Sequence, residues 1–249
     1  MKKYGLIGYP LTHSFSKKYF TEKFEREGKT SCQYDLYEIP DIQSFPAILA
    51  KEPSLIGLNV TIPYKEQVIP FLDRLNPACK AIGAVNCIKI TPTELIGFNT
   101  DYFGFKTSLI NWLGKERPAA LILGTGGASK AVAQALKDLN MRFVKVSRQA
   151  KADPASTTIT YQKLGEKPEL MHDFPLIINT SPLGTFPKTE AMPEIPLEHI
   201  NQTHWVYDLV YNPTTTTFMR EAAFRGAKTK NGLEMLHLQA EAAWEIWNE

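Results

Sequence analysis

The stretch Ala119-Ala120-Leu121-Ile122-Leu123-Gly124-Thr125-Gly126-Gly127-Ala128-Ser129 constrains the fold more than any other part of this 249-residue sequence. Its five apolar residues read as a strand buried on both faces, the kind found in parallel sheets covered by helices. A glycine-rich turn follows at once, and then a helical pattern to about Leu139. A glycine cluster alone is weak evidence. Strand, glycine turn and helix in that order form the context of a dinucleotide-binding unit. Without side chains the backbone can approach a pyrophosphate, and the helix N-terminus favours its charge. Gly124, Thr125, Gly126, Gly127 and Ala128 are therefore candidate cofactor contacts.

The next strand, Arg142 to Val146, ends at Ser147-Arg148, and this position decides the cofactor. An NAD site usually carries an acid here, about 20 residues past the glycines, for the ribose 2′-hydroxyl. This chain has none. Arg148 can pair with a 2′-phosphate and Ser147 can donate to it, so NADP is expected. Lys151 to Pro168 reads as irregular, with weak strand signals around Thr157 to Tyr161. Leu176 to Asn179 is a strand running into Thr180-Ser181-Pro182-Leu183-Gly184. Trp205 to Val210 is another, turned by Tyr211-Asn212-Pro213. A helix over Thr216 to Arg225 and a short strand over Ala227 to Lys230 follow. Asn231-Gly232 breaks the chain before a final helix, Leu233 to Trp247. In that helix Leu236, Ala240, Ala243 and Trp247 share one face. Gln239 lies beside this stripe and needs a buried partner or a ligand.

The N-terminal half also alternates strand and helix, which implies a mostly parallel sheet. Strands are expected over Lys3–Ile7, Cys32–Tyr37 and Leu55–Val60. Helices are expected to about Glu27 and over Ser44–Lys51. The strand Leu55-Ile56-Gly57-Leu58-Asn59-Val60 breaks into Thr61-Ile62-Pro63-Tyr64-Lys65. Lys65 thus sits at the C-terminal end of a strand, where open α/β folds hold their ligands. Asn59 and Thr61 lie two apart on an extended segment, so an amide and a hydroxyl share one face. Ser14 and Ser16 fall where the first helix begins, which suits either N-capping or an anion site. Pro77 to Ile82 reads as a helix. Asn86, alone in the apolar run Gly83-Ala84-Val85-Asn86-Cys87-Ile88, is either a structural hydrogen-bonder or a substrate contact. Leu95-Ile96-Gly97-Phe98 runs into Asn99-Thr100-Asp101 and a helix from Tyr102 to Leu113. Asp101 is either a cap or a partner for Lys65 over the same sheet edge.

Composition excludes several classes. A net charge of +2 gives no footprint for nucleic acid or an anionic membrane. No apolar stretch approaches the roughly 20 residues of a membrane span. The N-terminus has basic residues but no long apolar region, so a signal peptide is not expected. Cys32, Cys79 and Cys87 are odd in number and form no Cys-x-x-Cys, which fits reduced thiols in a cytoplasmic protein. The five histidines show no metal-ligand spacing, and no metal is expected.

Together the motifs carry a resemblance. Asn-Val-Thr-Ile-Pro-Tyr-Lys at 59–65, Gly-Ala-Val-Asn at 83–86 and Asn-Thr-Asp at 99–101 stand in the order found in shikimate dehydrogenases. Gly-Thr-Gly-Gly-Ala at 124–128, Val-Tyr-Asn-Pro at 210–213 and Gly-Leu-Glu-Met-Leu at 232–236 continue it, so the resemblance runs nearly end to end. It implies an α/β protein of two domains: a substrate domain from residues 1–101 and 233–249, and a Rossmann-like NADP domain from 102–232. It implies that Lys65 and Asp101 are the catalytic pair. It also implies that Ser14, Ser16, Asn59, Thr61, Asn86, Tyr211 and Gln239 contact a small-molecule substrate, shikimate or 3-dehydroshikimate. Cofactor contacts are implied at the glycine loop, Ser147, Arg148, Gln149, Lys151, Leu209 and Gly232. The assembly would be a monomer or a homodimer.

The chain departs from the family pattern in three places. Lys17 replaces a frequent proline after the second serine of His-Ser-x-Ser. Ser147-Arg148-Gln149 replaces Asn-Arg-Thr, keeping the arginine. Asn179-Thr180-Ser181 shortens Asn-Ala-Thr-Ser. The implied reaction interconverts 3-dehydroshikimate and shikimate, with Lys65 as acid in one direction and base in the other, and Asp101 orienting it. Two other readings stand beside it: a quinate/shikimate dehydrogenase of broader specificity, and a non-catalytic NADP sensor.

Overall fold

The computed structural model describes residues 1–11, 14–149 and 157–249; the expected cofactor contact Lys151 lies outside the described residues. The chain divides into two compact units, Met1–Thr100 with Gln239–Glu249, and Asp101–Leu238.

The first unit contains β1 (Lys2–Gly8), α1 (Phe15–Arg26), β2 (Cys32–Glu38), α2 (Phe45–Lys51), β3 (Leu55–Val60), β4 (Arg74–Leu75), α3 (Pro77–Ile82), β5 (Cys87–Ile90) and β6 (Leu95–Phe98). The strands form one sheet in the order β2-β1-β3-β5-β6-β4. β1 pairs in parallel with β2 and β3, and β4 with β6. β5 departs from the parallel expectation by running antiparallel to both its neighbours. For the pair with β6 the reason is local. Thr91 closes a tight turn by bonding Glu94 through both backbone and hydroxyl, and so short a link permits only an antiparallel return. The helix expected over Ser44–Lys51 is α2, with Ser44 at its N-cap and a short 3₁₀ turn over Ile42–Ser44 leading into it.

The second unit contains α4 (Thr100–Leu113), β7 (Ala120–Leu123), α5 (Gly127–Asp138), β8 (Phe143–Ser147), β9 (Thr158–Thr160), α6 (Tyr161–Glu166), α7 (Leu170–Asp173), β10 (Leu176–Asn179), β11 (Trp205–Asp208), α8 (Thr217–Phe224), β12 (Lys228–Asn231) and α9 (Leu233–Asn248). The unit boundaries fall at the first residue of α4 and within α9. All six strands of the second sheet are parallel, in the order β12-β11-β10-β7-β8-β9. Part of the stretch read as irregular is helical: Thr160 accepts a bond from the Lys163 amide and so caps α6. A single turn so short carries no helical periodicity to read.

Each sheet is buried on both faces. In the second, Leu121 and Leu123 point into one core while Ala120 and Ile122 point into the other. In the first, Ile7, Leu58, Val60 and Ile88 pack with Phe45, Ile48 and Cys79. On its opposite face Tyr4, Leu6, Phe20 and Tyr34 pack with Ala240, Ala243 and Trp247. α9 serves two cores, because Met235 near its start belongs to the core of the second unit. Lys23 of α1, nearly buried, pairs with Glu27 and with Glu241 of α9 at 2.7 and 2.8 Å.

The indole of Trp247 lies over β3 at Gly57 and donates to the Ile88 carbonyl at 3.0 Å. A Cβ at Gly57 would stand 2.4 Å from two atoms of this ring. The ring is 4% exposed and has no free volume to retreat into. Gly57→Ala is therefore expected to destabilise the protein by about 1–3 kcal/mol, read as a lowered urea midpoint. An unchanged midpoint would show that the indole can shift without cost.

Candidate active site

In the first unit, Asn59 lies in β3 and Thr61 follows it, while Ser14 and Ser16 stand at the start of α1. Ser14 caps α1, accepting the Lys17 amide at 3.3 Å, so its capping role is real. Ser16 is the second residue of the helix. Tyr34 is buried, which pushes its phenol well above the ordinary range, while the neighbouring Ser16 works in the opposite direction. The phenol keeps its proton and donates it to Asn59 Oδ1 at 2.7 Å.

From there the contacts continue without a break. Asn59 Nδ2 donates to the Asn86 carbonyl at 3.3 Å. Asn86 Oδ1 accepts the Thr100 amide at 2.6 Å, and Asn86 Nδ2 donates to Thr100 Oγ1 at 3.0 Å. Thr100 Oγ1 lies 3.4 Å from Gln239 Oε1, and donates to it. Asn59, Asn86 and Gln239 are thus linked, with Tyr34 and Thr100, in one chain of hydrogen bonds inside the first unit. Its two connecting residues, Tyr34 and Thr100, were missed by sequence reasoning. Tyr34 looked like an ordinary alternating strand residue. Thr100 was part of a quoted motif but carried no signal of burial.

Thr61 and Lys65 are half-buried on the loop after β3. The loop is fastened at several points. The Thr61 amide donates to Ile7 at 3.0 Å, the Tyr64 amide to Thr61 at 2.9 Å, and the Val85 amide to the Lys65 carbonyl at 2.7 Å. The buried Tyr64 ring donates its hydroxyl to the Ile39 carbonyl. The lysine backbone is therefore held while its side chain has the reach of its four-carbon stem. Asp101 is half-buried in the first turn of α4, and it opens the second unit.

The second unit places the other expected residues at the C-terminal ends of its parallel strands. Gly124 follows β7 with φ +117°, a conformation L-residues avoid, and a Cβ there would meet Thr180 Oγ1 at 2.7 Å. Gly126 caps α5 with no side chain, and a Cβ there would meet nothing within 4 Å. Thr125 and Gly126 are exposed and Gly127 and Ala128 half-buried, so the backbone amides at the start of a 12-residue helix stand open. Ser147 is buried and gives its hydroxyl to the Gln149 carbonyl, while Arg148 and Gln149 are exposed. Gly232 is buried against β11: a Cβ would stand 2.1 Å from the Leu209 carbonyl oxygen. Tyr211 is half-buried, and burial pushes its phenol up, so it remains a neutral donor.

Asp208 was not singled out by sequence reasoning, yet it organises this edge. Its carboxylate is fully buried and accepts from Asn179 Nδ2 at 2.9 Å, the Val210 amide at 3.1 Å and Thr216 Oγ1 at 2.7 Å. Burial pushes its carboxyl up, and these three donors oppose the shift. Asn179 Oδ1 in turn accepts the amide and hydroxyl of Ser181. The only available signal was an acid inside the apolar run Trp205 to Val210. The open glycine turn, the helix start and the close approach at Gly232 fit a dinucleotide. Among the described residues, no group of three or more His, Cys, Asp or Glu is placed to hold a metal ion, and no helix is long and apolar enough to cross a membrane.

Comparison with known proteins gives a consistent result. A family model described as the shikimate dehydrogenase substrate binding domain matches residues 6–88. The NADP-dependent shikimate dehydrogenase of Desulforamulus reducens is 36% identical over 98% of this chain and 88% of its own. That of Clostridium beijerinckii is 38% identical over 100% and 93%. A solved structure of shikimate 5-dehydrogenase from Thermus thermophilus, in complex with NADP(H) and shikimate, superposes with a TM-score of 0.85. It is 30% identical and covers 99% of this chain and 93% of its own.

At Gly232 the opposing atom is a main-chain oxygen, which cannot swing aside as a side chain can. Gly232→Ala is expected to lower the thermal midpoint, at a cost of about 1–3 kcal/mol, and to weaken NADP⁺ binding measured by fluorescence titration. A variant with the parent's midpoint and affinity would show that the Leu209 carbonyl is free to move.

Proposed function

The chain belongs to the shikimate dehydrogenase family, and from that premise we propose that Lys65 and Asp101 carry out the reversible NADPH-dependent reduction of 3-dehydroshikimate to shikimate. The end-to-end likeness to NADP-dependent shikimate dehydrogenases carries this reading. The product lies on the route to chorismate and the aromatic amino acids. The cofactor is NADP, and when bound it supplies or takes up the hydride.

This chain's own residues do the rest. In the reducing direction the Lys65 ammonium donates a proton to the carbonyl oxygen that becomes the alcohol, and in the reverse direction the amine takes it back. Asp101 orients the ammonium and accepts a hydrogen bond from a ring hydroxyl. Ser14, Ser16, Asn59, Thr61, Asn86, Tyr211 and Gln239 hold the carboxylate and hydroxyls of the substrate. These are short-range polar contacts, suited to a small polyhydroxylated acid. Gly124, Thr125, Gly126, Gly127 and Ala128 would hold the pyrophosphate through backbone amides, with Leu209 and Gly232 nearer the nicotinamide. Ser147, Arg148, Gln149 and Lys151 would surround the 2′-phosphate, Arg148 pairing with it as a planar fork. The substrate domain is residues 1–101 with 233–249, and the NADP domain is 102–232. The protein works in the cytoplasm as a monomer or homodimer. Three cysteines that form no disulfide support the cytoplasmic setting.

Nicotinamide absorbance with shikimate or quinate, and NADP⁺ or NAD⁺, tests the reading. Reduction is expected with shikimate and NADP⁺. Comparable rates with quinate or NAD⁺ would move the protein to a broader quinate/shikimate activity and leave Arg148 without its role. No reduction in any pairing, from folded protein that binds NADP⁺, would make it a nucleotide sensor. Separately, Lys65→Met is expected to lower kcat by about 10²–10⁴ with the fold intact. Near-normal turnover would remove Lys65 from the chemistry.

A further inference from the structure

We propose that Thr100 is a positioning residue for substrate binding, its hydroxyl fixing the orientation of the Asn86 and Gln239 amides. The proposal rests on the reading above, in which both amides contact the substrate. An amide has an acceptor end and a donor end of nearly the same shape, so a site that uses one must first decide which end it offers.

Here the decision is traceable to a group that cannot be reversed. The Thr100 backbone N–H can only donate, and it stands 2.6 Å from Asn86 Oδ1. That fixes the oxygen end of Asn86 and turns its NH₂ to Thr100 Oγ1, at 3.0 Å. The hydroxyl uses a lone pair there and has one proton to give. Two acceptors lie within its reach, Asn86 Oδ1 at 3.3 Å and Gln239 Oε1 at 3.4 Å; the first is already oriented by the shorter bond from the Thr100 amide, so Gln239 is the one whose orientation rests on the hydroxyl. Donation to it turns the oxygen end of Gln239 to Thr100 and directs its NH₂ end elsewhere.

Burial makes the arrangement hold. Asn86 and Thr100 are each 2% exposed and Gln239 is 8% exposed, so water does not compete for these bonds. Thr100 and Gln239 lie at the two chain breaks of the first unit, as the last residue of its long segment and the first of its short one. The hydroxyl is therefore the link by which the amide on α9 is set from the strand side.

The test compares Thr100→Val, which keeps the shape and removes the hydroxyl, with Thr100→Ser, which keeps the hydroxyl, and with Gln239→Ala. Each is read for shikimate KM and kcat, for shikimate affinity by calorimetry without turnover, for NADP⁺ affinity, and for thermal midpoint. Thr100→Val is expected to raise shikimate KM and Kd about tenfold, with kcat and NADP⁺ affinity within about twofold of the parent. Thr100→Ser is expected to restore most of that loss. In the Thr100→Val/Gln239→Ala double variant the losses should be less than multiplicative, because one acts through the other. If Thr100→Val does not fold, Thr100→Ala makes the same measurement. A lowered midpoint with unchanged shikimate affinity would overturn the proposal and leave Thr100 a packing residue. Unchanged affinity in Gln239→Ala would instead overturn the substrate role of Gln239 on which it stands.

Discussion

Asn86 is almost wholly removed from water, and a buried amide must find its partners inside the protein or destabilise the fold by its full desolvation penalty. Its side chain meets that demand on Thr100 alone, through one bond accepted and one donated. Much else hangs from this pair. The bond to the Thr100 amide satisfies a donor at the start of α4 that no helical carbonyl can reach. The bond from Asn86 Nδ2 orients the hydroxyl that meets α9 at Gln239. The Asn86 backbone carbonyl accepts both the Val60 amide and the Asn59 side-chain NH₂, so β3 ends where it does because Asn86 is there. Remove the pair, and strand end, helix start and C-terminal helix lose a common point.

The second unit solves the same problem with a charge. Asp208 is an acid at the end of a buried strand, where desolvation favours the neutral form. Three donors converge on it from a strand, a turn and a helix cap. They tie the segments after β10 and β11 to the sheet, and Leu209 lies between Asp208 and the next bound amide. The adjacent strand β12 ends at Asn231, and Gly232 then passes so near the Leu209 carbonyl that any side chain would displace the main chain. At Gly232 it is main chain that meets main chain. That is the condition under which a flat dinucleotide can approach closely.

The two units therefore share a design. In each, polar groups at a strand end are held by a buried residue: Asn59 by Tyr34, Asn86 and Gln239 by Thr100, and the turn through Leu209 by Asp208. Orientation is fixed before any ligand arrives, which lowers the ordering cost of binding it.

The sequence by itself determined the strand–helix alternation, the glycine turn after β7 and the polar residues at strand ends. These are local facts: a run of apolar residues, a residue without Cβ, and a spacing of two along a strand. β3, α3 and β10 begin and end where their apolar runs and prolines put them. The family motifs, being contiguous, were legible for the same reason. Only the tertiary structure decided that β5 turns back between β3 and β6, because pairing direction depends on which strands meet. Only it showed that Ser147 directs its hydroxyl to Gln149, that α9 divides its residues between two cores, and that Tyr34, Thr100 and Asp208 are the supports. Their partners lie 14 to 139 residues away for Thr100 and 25 away for Tyr34. A hydrogen bond over such separations leaves no periodicity in the chain, so burial and geometry alone reveal it.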